Sequence, residues 1–178
     1  LDHLLVSQAL LGGAQFDAVH LNAEQPDALQ SATDHDALVA LVEIPVKLFG
    51  TDADNLIEAG AANEVIYGLG GNDVLRAGDG NDTVYGGEGH DTIQGGTGIN
   101  LLYGGAGNDV FAGEAQFGRH SIDGGAGADS FIVNSDGSAV TVDLAAGTVT
   151  GGYADGSTLT SVELVKVARG FDASVSLS

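Results

Sequence analysis

The 178-residue chain carries 25 Asp and Glu against 5 Lys and Arg, a net charge of −20, with 43% hydrophobic residues and no Cys. That balance repels nucleic-acid phosphate and anionic lipid, so neither is an expected partner, and the missing Cys excludes disulfides and thiolate metal sites. No apolar run reaches the roughly 18–20 residues of a membrane span and no basic-then-apolar leader is read at Leu1, so no transmembrane segment is expected; the absence of Met points to a fragment or a processed product.

In chain order, residues 1–47 read as an N-terminal cap or the tail of an upstream domain. Apolar residues at 1, 4, 5, 10 and 11 give 2–11 a helical stripe, and 34–42 reads as a second helix with Thr33 or Asp34 as its cap. Val42, Ile44, Val46 and Leu48 then alternate, which predicts a strand with Pro45 on its edge side.

Residues 48–132 are built differently. Of the 29 Gly, 21 fall between Gly50 and Gly127, and they recur with a period of nine. Gly86-Gly87-Glu88-Gly89-His90-Asp91-Thr92-Ile93-Gln94 is followed by Gly95-Gly96-Thr97-Gly98-Ile99-Asn100-Leu101-Leu102-Tyr103 and by Gly104-Gly105-Ala106-Gly107-Asn108-Asp109-Val110-Phe111-Ala112. The same frame runs back through rows starting at Ala77, Gly68, Ala59 and Gly50. It breaks at Gly113-Glu114 and resumes at Ala115 and Gly124. Position eight is always large and apolar: Ile57, Ile66, Leu75, Val84, Ile93, Leu102, Phe111, Ile122 and Phe131. Position six is mostly Asp. Each row therefore reads as a glycine turn plus a short strand whose eighth residue points inward. One row cannot bury that residue alone, so rows must stack, two to a coil. The expected fold is all-β: a right-handed parallel β-roll (β-solenoid) with an N-terminal cap and a β-rich C-terminal cap over 133–178. In that cap Val140, Val142 and Leu144 alternate, as do Val162, Leu164 and Lys166, with turns at Ala145-Ala146-Gly147 and Gly151-Gly152.

Over roughly 50–132 these rows closely resemble the glycine-rich nonapeptides of the RTX (repeats-in-toxin) family, whose calcium-binding signature this is. The stretches Val140–Gly147 and Leu159–Val165 resemble, more loosely, the segment that closes such rolls. The resemblance implies Ca2+ held between successive turns, export through a type I secretion apparatus, and a secreted, extracellular or cell-surface location. Calcium takes six to eight oxygen ligands in irregular geometry, which Asp carboxylates and turn carbonyls from two stacked turns can supply.

Because a row stacks on the row two away, the two edges of the roll separate. One carries Asn55, Asp73, Asp91, Asp109 and Asp129 at position six, enough for about three inter-turn sites by the family's geometry. The other carries Glu64, Asp82, Asn100 and His120. The expected metal ligands are Asp73, Asp91, Asp109, Asp129, Asp82 and the side-chain carbonyl of Asn100. Turn positions Gly71, Gly86, Gly87, Glu88, Gly89, Gly104, Gly105, Ala106, Gly107, Gly124 and Ala126 complete the set. The Asp109/Asp129 site is the one the two-residue insertion most affects, His120 is a poor calcium ligand, and Asn72, Asn81 and Asn108 read as turn residues.

Thirteen Asp and Glu against two Arg between Gly50 and Ile132 repel one another without cations, so folding of this block is expected to need calcium. No His-Glu-x-x-His or Gly-x-Ser-x-Gly motif is present, and the His residues at 3, 20, 35, 90 and 120 lack metal-ligand spacing. The chain itself is therefore not expected to be an enzyme. The favoured reading is a calcium-binding module that folds after type I export. Its alternatives are a spacer or self-association module of a surface adhesin or S-layer protein, or the repeat part of a toxin or a secreted alginate epimerase, protease or lipase.

Overall fold

The computed structural model describes residues 44–112, 118–134, 138–168 and 173–176. The expected helices at 2–11 and 34–42 lie outside the described residues, as does the Gly113-Glu114 insertion.

All regular structure among the described residues is strand. Each coil gives one strand to each of two sheets. The first sheet takes β1 (Val46–Phe49), β3 (Glu64–Gly70), β5 (Thr83–Glu88), β7 (Gly98–Ala106) and β9 (Gly118–Ala126), all paired in parallel. The second takes β2 (Leu56–Glu58), β4 (Val74–Arg76), β6 (Thr92–Gln94), β8 (Val110–Ala112) and β10 (Ser130–Val133), again parallel. This is the parallel β-solenoid that the period of nine implies, an all-β roll.

The register follows from what must be buried. In the first sheet Leu48, Ile66, Val84, Leu102 and Ile122 stack in line. In the second, Ile57, Leu75, Ile93, Phe111 and Phe131 do the same. From Ile66 onward these position-eight side chains are at most 2% exposed, and Ile57 packs against them half-buried. Eighteen residues separate stacked partners until the insertion, after which Leu102 meets Ile122. One-residue slips would turn the whole apolar set outward, so the apolar column fixes the register. On the outer face of the first sheet Phe49, Tyr67, Tyr85 and Tyr103 form a second column, with ring centroids 5.0–5.1 Å apart.

Two sequence alternations run differently in the structure. Val46 pairs with Glu64 and is 48% exposed and Ile44 is 69% exposed, so among the described residues of the alternating series Leu48 alone packs against the core. At the other end the strand phase puts Val165, rather than Leu164, over Phe131, and Leu164 is half exposed. The closing segment re-enters the roll: β13 (Thr158–Thr160) sets Leu159 over Ile122, and β14 (Leu164–Val167) continues the second sheet. Before β13 in sequence, β11 (Val140–Asp143) and β12 (Thr148–Thr150) form an antiparallel hairpin that extends the first sheet beyond β13 and buries Val140, Val142 and Val149, with β15 (Ala173–Ser176) parallel to β11. No helix among the described residues is long and apolar enough to cross a membrane.

Candidate metal centre

Parallel stacking brings position six of one coil over position six of the next. On the aspartate edge this makes a continuous ladder. The backbone N–H groups of Asn55, Asp73, Asp91 and Asp109 donate to Oδ1 of Asp73, Asp91, Asp109 and Asp129 in turn, at 2.7–2.8 Å. One carboxylate oxygen per aspartate is thereby spent on holding the coils together. The other is not: Oδ2 of Asp73, Asp91, Asp109 and Asp129 is buried and has no hydrogen-bond partner. All four side chains are no more than 1% exposed. A buried carboxylate oxygen facing no donor is costly in proportion to its charge.

What faces each orphan oxygen is more oxygen. A Cβ built on Gly68 would lie 2.4 Å from Asp73 Oδ2 and 2.3 Å from the carbonyl oxygen of Gly86 on the next coil. The same construction on Gly86 meets Asp91 Oδ2 and Gly104 O, both at 2.4 Å, and on Gly104 it meets Asp109 Oδ2 at 2.3 Å and Gly124 O at 2.5 Å. Glycine at position one thus keeps open a pocket walled by a carboxylate from one turn and a carbonyl from the next. At position four the demand is conformational as well: Gly89 and Gly107 hold φ of 124° and 134°, and a Cβ there would strike the carbonyl below at 1.9 and 1.7 Å.

The donor set is hard oxygen throughout. Among the described residues no three His, Cys, Asp or Glu side chains converge on one point. A cation held here must therefore take most of its ligands from main-chain carbonyls, which suits calcium and not a transition metal. Burial pushes the Asp91 carboxyl up to about 6, with Asp109 and Asp73 adding repulsion, and raises Asp73, Asp109 and Asp129 as well. The residues fit a divalent cation: it would satisfy the orphan oxygens and offset this repulsion.

The second edge is built of the same turns with different chemistry. Glu64 N and Asp82 N continue a ladder onto Asp82 Oδ1 (2.9 Å) and Asn100 Oδ1 (2.7 Å). The expected metal role of Asn100 does not match its geometry. Its Oδ1 is taken by Asp82, and its Nδ2 donates to Gly95 O at 2.6 Å and Thr97 O at 3.1 Å. The amide has put a donor where the aspartate edge has an orphan oxygen, so this turn closes on itself. Asp82 and Glu64 do keep buried, unpartnered oxygens, and burial next to Glu64 raises Asp82 to about 6. Yet position one of the Asp82 row is Ala77, fully buried, whose methyl stands where the other edge has glycine. Beyond Asn100, the half-buried His120 ring lies 3.1 Å from a Cβ on Gly95, its Nδ1 is buried without a hydrogen-bond partner, and burial lowers the imidazole to about 4.

The position-five residues Asn72 and Asn108 are not idle turn formers, and neither is His90. Asn72 Oδ1 accepts from His90 N, His90 Nδ1 from Asn108 N, and Asn108 Oδ1 from Ala128 N, at 2.7–2.9 Å. On the second edge Asn81 accepts from Ile99 N at 2.8 Å. These side chains bond forward along the chain and the aspartates backward, so each turn is tied to both neighbours. Residue spacing alone could have suggested this, since each acceptor recurs at position five.

A family model described as the RTX calcium-binding nonapeptide repeat (4 copies) matches residues 49–84, 58–93 and 85–119. The matched stretch is thus a run of RTX calcium-binding repeats folded as a β-roll. Comparison with curated proteins and with solved structures gives no match.

Proposed function

We propose that the chain is a calcium-folded module of a secreted protein, with Asp73, Asp91 and Asp109 each anchoring one ion against the next turn. The observation that carries this reading is the row of buried Oδ2 atoms with no partner, each facing a carbonyl of the following coil. In calcium-poor cytosol the like charges keep the coils apart, and outside the cell millimolar calcium joins them. Such a chain would pass a type I secretion apparatus unfolded and fold on emergence. The absence of Cys and the −20 charge are in keeping with that route. The second edge, with its methyl-filled and amide-closed turns, adds packing and hydrogen bonds to the folded roll and takes no ion of its own.

Circular dichroism of the metal-free chain tests this reading. Calcium at roughly 10⁻⁴–10⁻³ M, the range of extracellular modules, is expected to convert a largely disordered spectrum into a β spectrum. Acid is expected to act in the same direction as calcium in chelator. The aspartates whose carboxyls are raised in the roll, to about 6 at Asp82 and Asp91, bind protons more tightly folded than unfolded. Their contribution to stability is full below the unfolded value of 3.8 and is lost as pH rises through about 6. His120, lowered to about 4, opposes this but is one group against five. Chelated protein should therefore gain β content from pH 7 to about 5, while its calcium affinity falls over the same interval. A β spectrum at pH 7 in chelator that calcium leaves unchanged overturns the reading.

A further inference from the structure

Beyond the repeats, the aspartate ladder does not stop at Asp129. The N–H of Asp129 donates to Glu163 Oε2 at 2.8 Å, the bond that every earlier aspartate makes to the next. The carbonyl of Asp129 accepts from the N–H groups of Glu163 and Leu164 at 3.1 and 3.0 Å, as the carbonyls of Asp73, Asp91 and Asp109 accept from Thr92, Val110 and Ser130. Leu164 pairs with Ser130 and Val165 with Phe131, so Glu163 holds position six of a further coil although it lies 34 residues away rather than 18. Ser161 holds position one. A Cβ on Gly124 would lie 1.9 Å from Ser161 O and 2.5 Å from Asp129 Oδ2, the same pair of oxygens that walls each pocket below. Ser161 reaches this place with a φ of 50°, unusual for a residue with a side chain. Asp129 is fully buried, and its Oδ2 has no partner.

We infer that Asp129, Ser161 and Glu163 build a fourth calcium site, one whose upper half comes from the closing segment rather than from a nonapeptide. The chain shortens the turn: two steps lead from Ser161 to Glu163, against five from Gly124 to Asp129, and glutamate supplies the extra methylene that a compressed turn needs. The ion at this site clamps β13 and β14 onto the last repeat. Closure of the roll is then calcium-dependent in its own right, and the C-terminal segment is part of the metal array.

This inference rests on the calcium reading of the repeats, and its test separates the two. Native mass spectrometry in saturating calcium should count four ions on the full chain and three on Glu163→Gln, which keeps an acceptor for Asp129 N–H but removes the negative charge beside the pocket. The affected ion should bind at least about tenfold more weakly. Hydrogen exchange in calcium should lose protection at Leu164–Val167 in Glu163→Gln, whereas Asp91→Asn also loses one ion but leaves that strand protected. Three ions on the wild type, with Glu163→Gln unchanged in both count and exchange, overturn the fourth site and leave the repeat sites standing. No ions on either chain would overturn the calcium reading itself.

Discussion

Replacing Asp91 by asparagine is expected to remove one calcium ion per chain and yet make the chelated protein more stable by about 1–3 kcal/mol, the cost of a buried polar group without a partner. Asn100 shows why. Its Oδ1 keeps the ladder bond from the coil below, and its Nδ2 satisfies the carbonyls of its own turn at positions one and three. Placed at 91, the same amide would keep the bond from Asp73 N and turn its donor to the carbonyls of Gly86 and Glu88. An uncompensated buried charge is exchanged for a closed turn. Asp91→Ala lacks both groups: it should lose the ion and also leave Asp73 N–H without its acceptor, destabilising the roll in calcium and in chelator alike. The reciprocal change, Asn100→Asp, should weaken the chelated protein by a similar 1–3 kcal/mol, because a carboxylate would then face Gly95 O and Thr97 O with no donor. Calcium counting by calorimetry reads the first quantity, and the pH up to which β content persists in chelator reads the second: it should rise for Asp91→Asn and fall for Asn100→Asp. If Asp91→Asn keeps its full complement of ions, the orphan oxygen is not a ligand.

Gly104→Ala should cost about 1–3 kcal/mol in saturating calcium, the usual cost of overpacking, and lose the ion at Asp109. The added methyl would stand 2.3 Å from Asp109 Oδ2 and 2.5 Å from Gly124 O, and the second of these is backbone that cannot swing away. Gly95→Ala is the control at the equivalent position of the other edge. Its nearest neighbours are side-chain atoms of His120, Leu102 and Asn100 at 3.1–3.2 Å, which can yield by a few tenths of an ångström. It should cost under about 1 kcal/mol and leave the ion count unchanged. Equal effects at the two positions would mean that the edges do not differ in the way their oxygens are arranged.

The fold was legible because two kinds of residue repeat for one reason each. Position eight is apolar in every row since it has no other place to go, and position six is acidic where stacked turns converge. What spacing could not convey is how each side chain is used. Asn100 looks like a weaker aspartate in the sequence, and only its two donor bonds reveal a turn that closes without a cation. His90 looks exchangeable, yet its Nδ1 stands in line with the asparagines above and below it. Glu163 was out of reach of a nine-residue frame because the chain first leaves for the β11–β12 hairpin and returns on a shortened turn. Its one visible signal was the likeness of the stretch Leu159–Val165 to a closing segment. Leu164 misled for the same reason: alternation counted from Val162 misses the change of phase that the compressed turn imposes.

The most direct measurement is amide hydrogen exchange at Asp73, Asp91 and Asp109, whose N–H groups are bound only to the carboxylate of the next coil. In calcium all three are expected to be strongly protected; in chelator at pH 7 they should exchange nearly as fast as an unfolded chain, because the coils they join are no longer held. Protection that is equally strong in both would contradict the account, since the aspartate ladder would then close without the cation assigned to it.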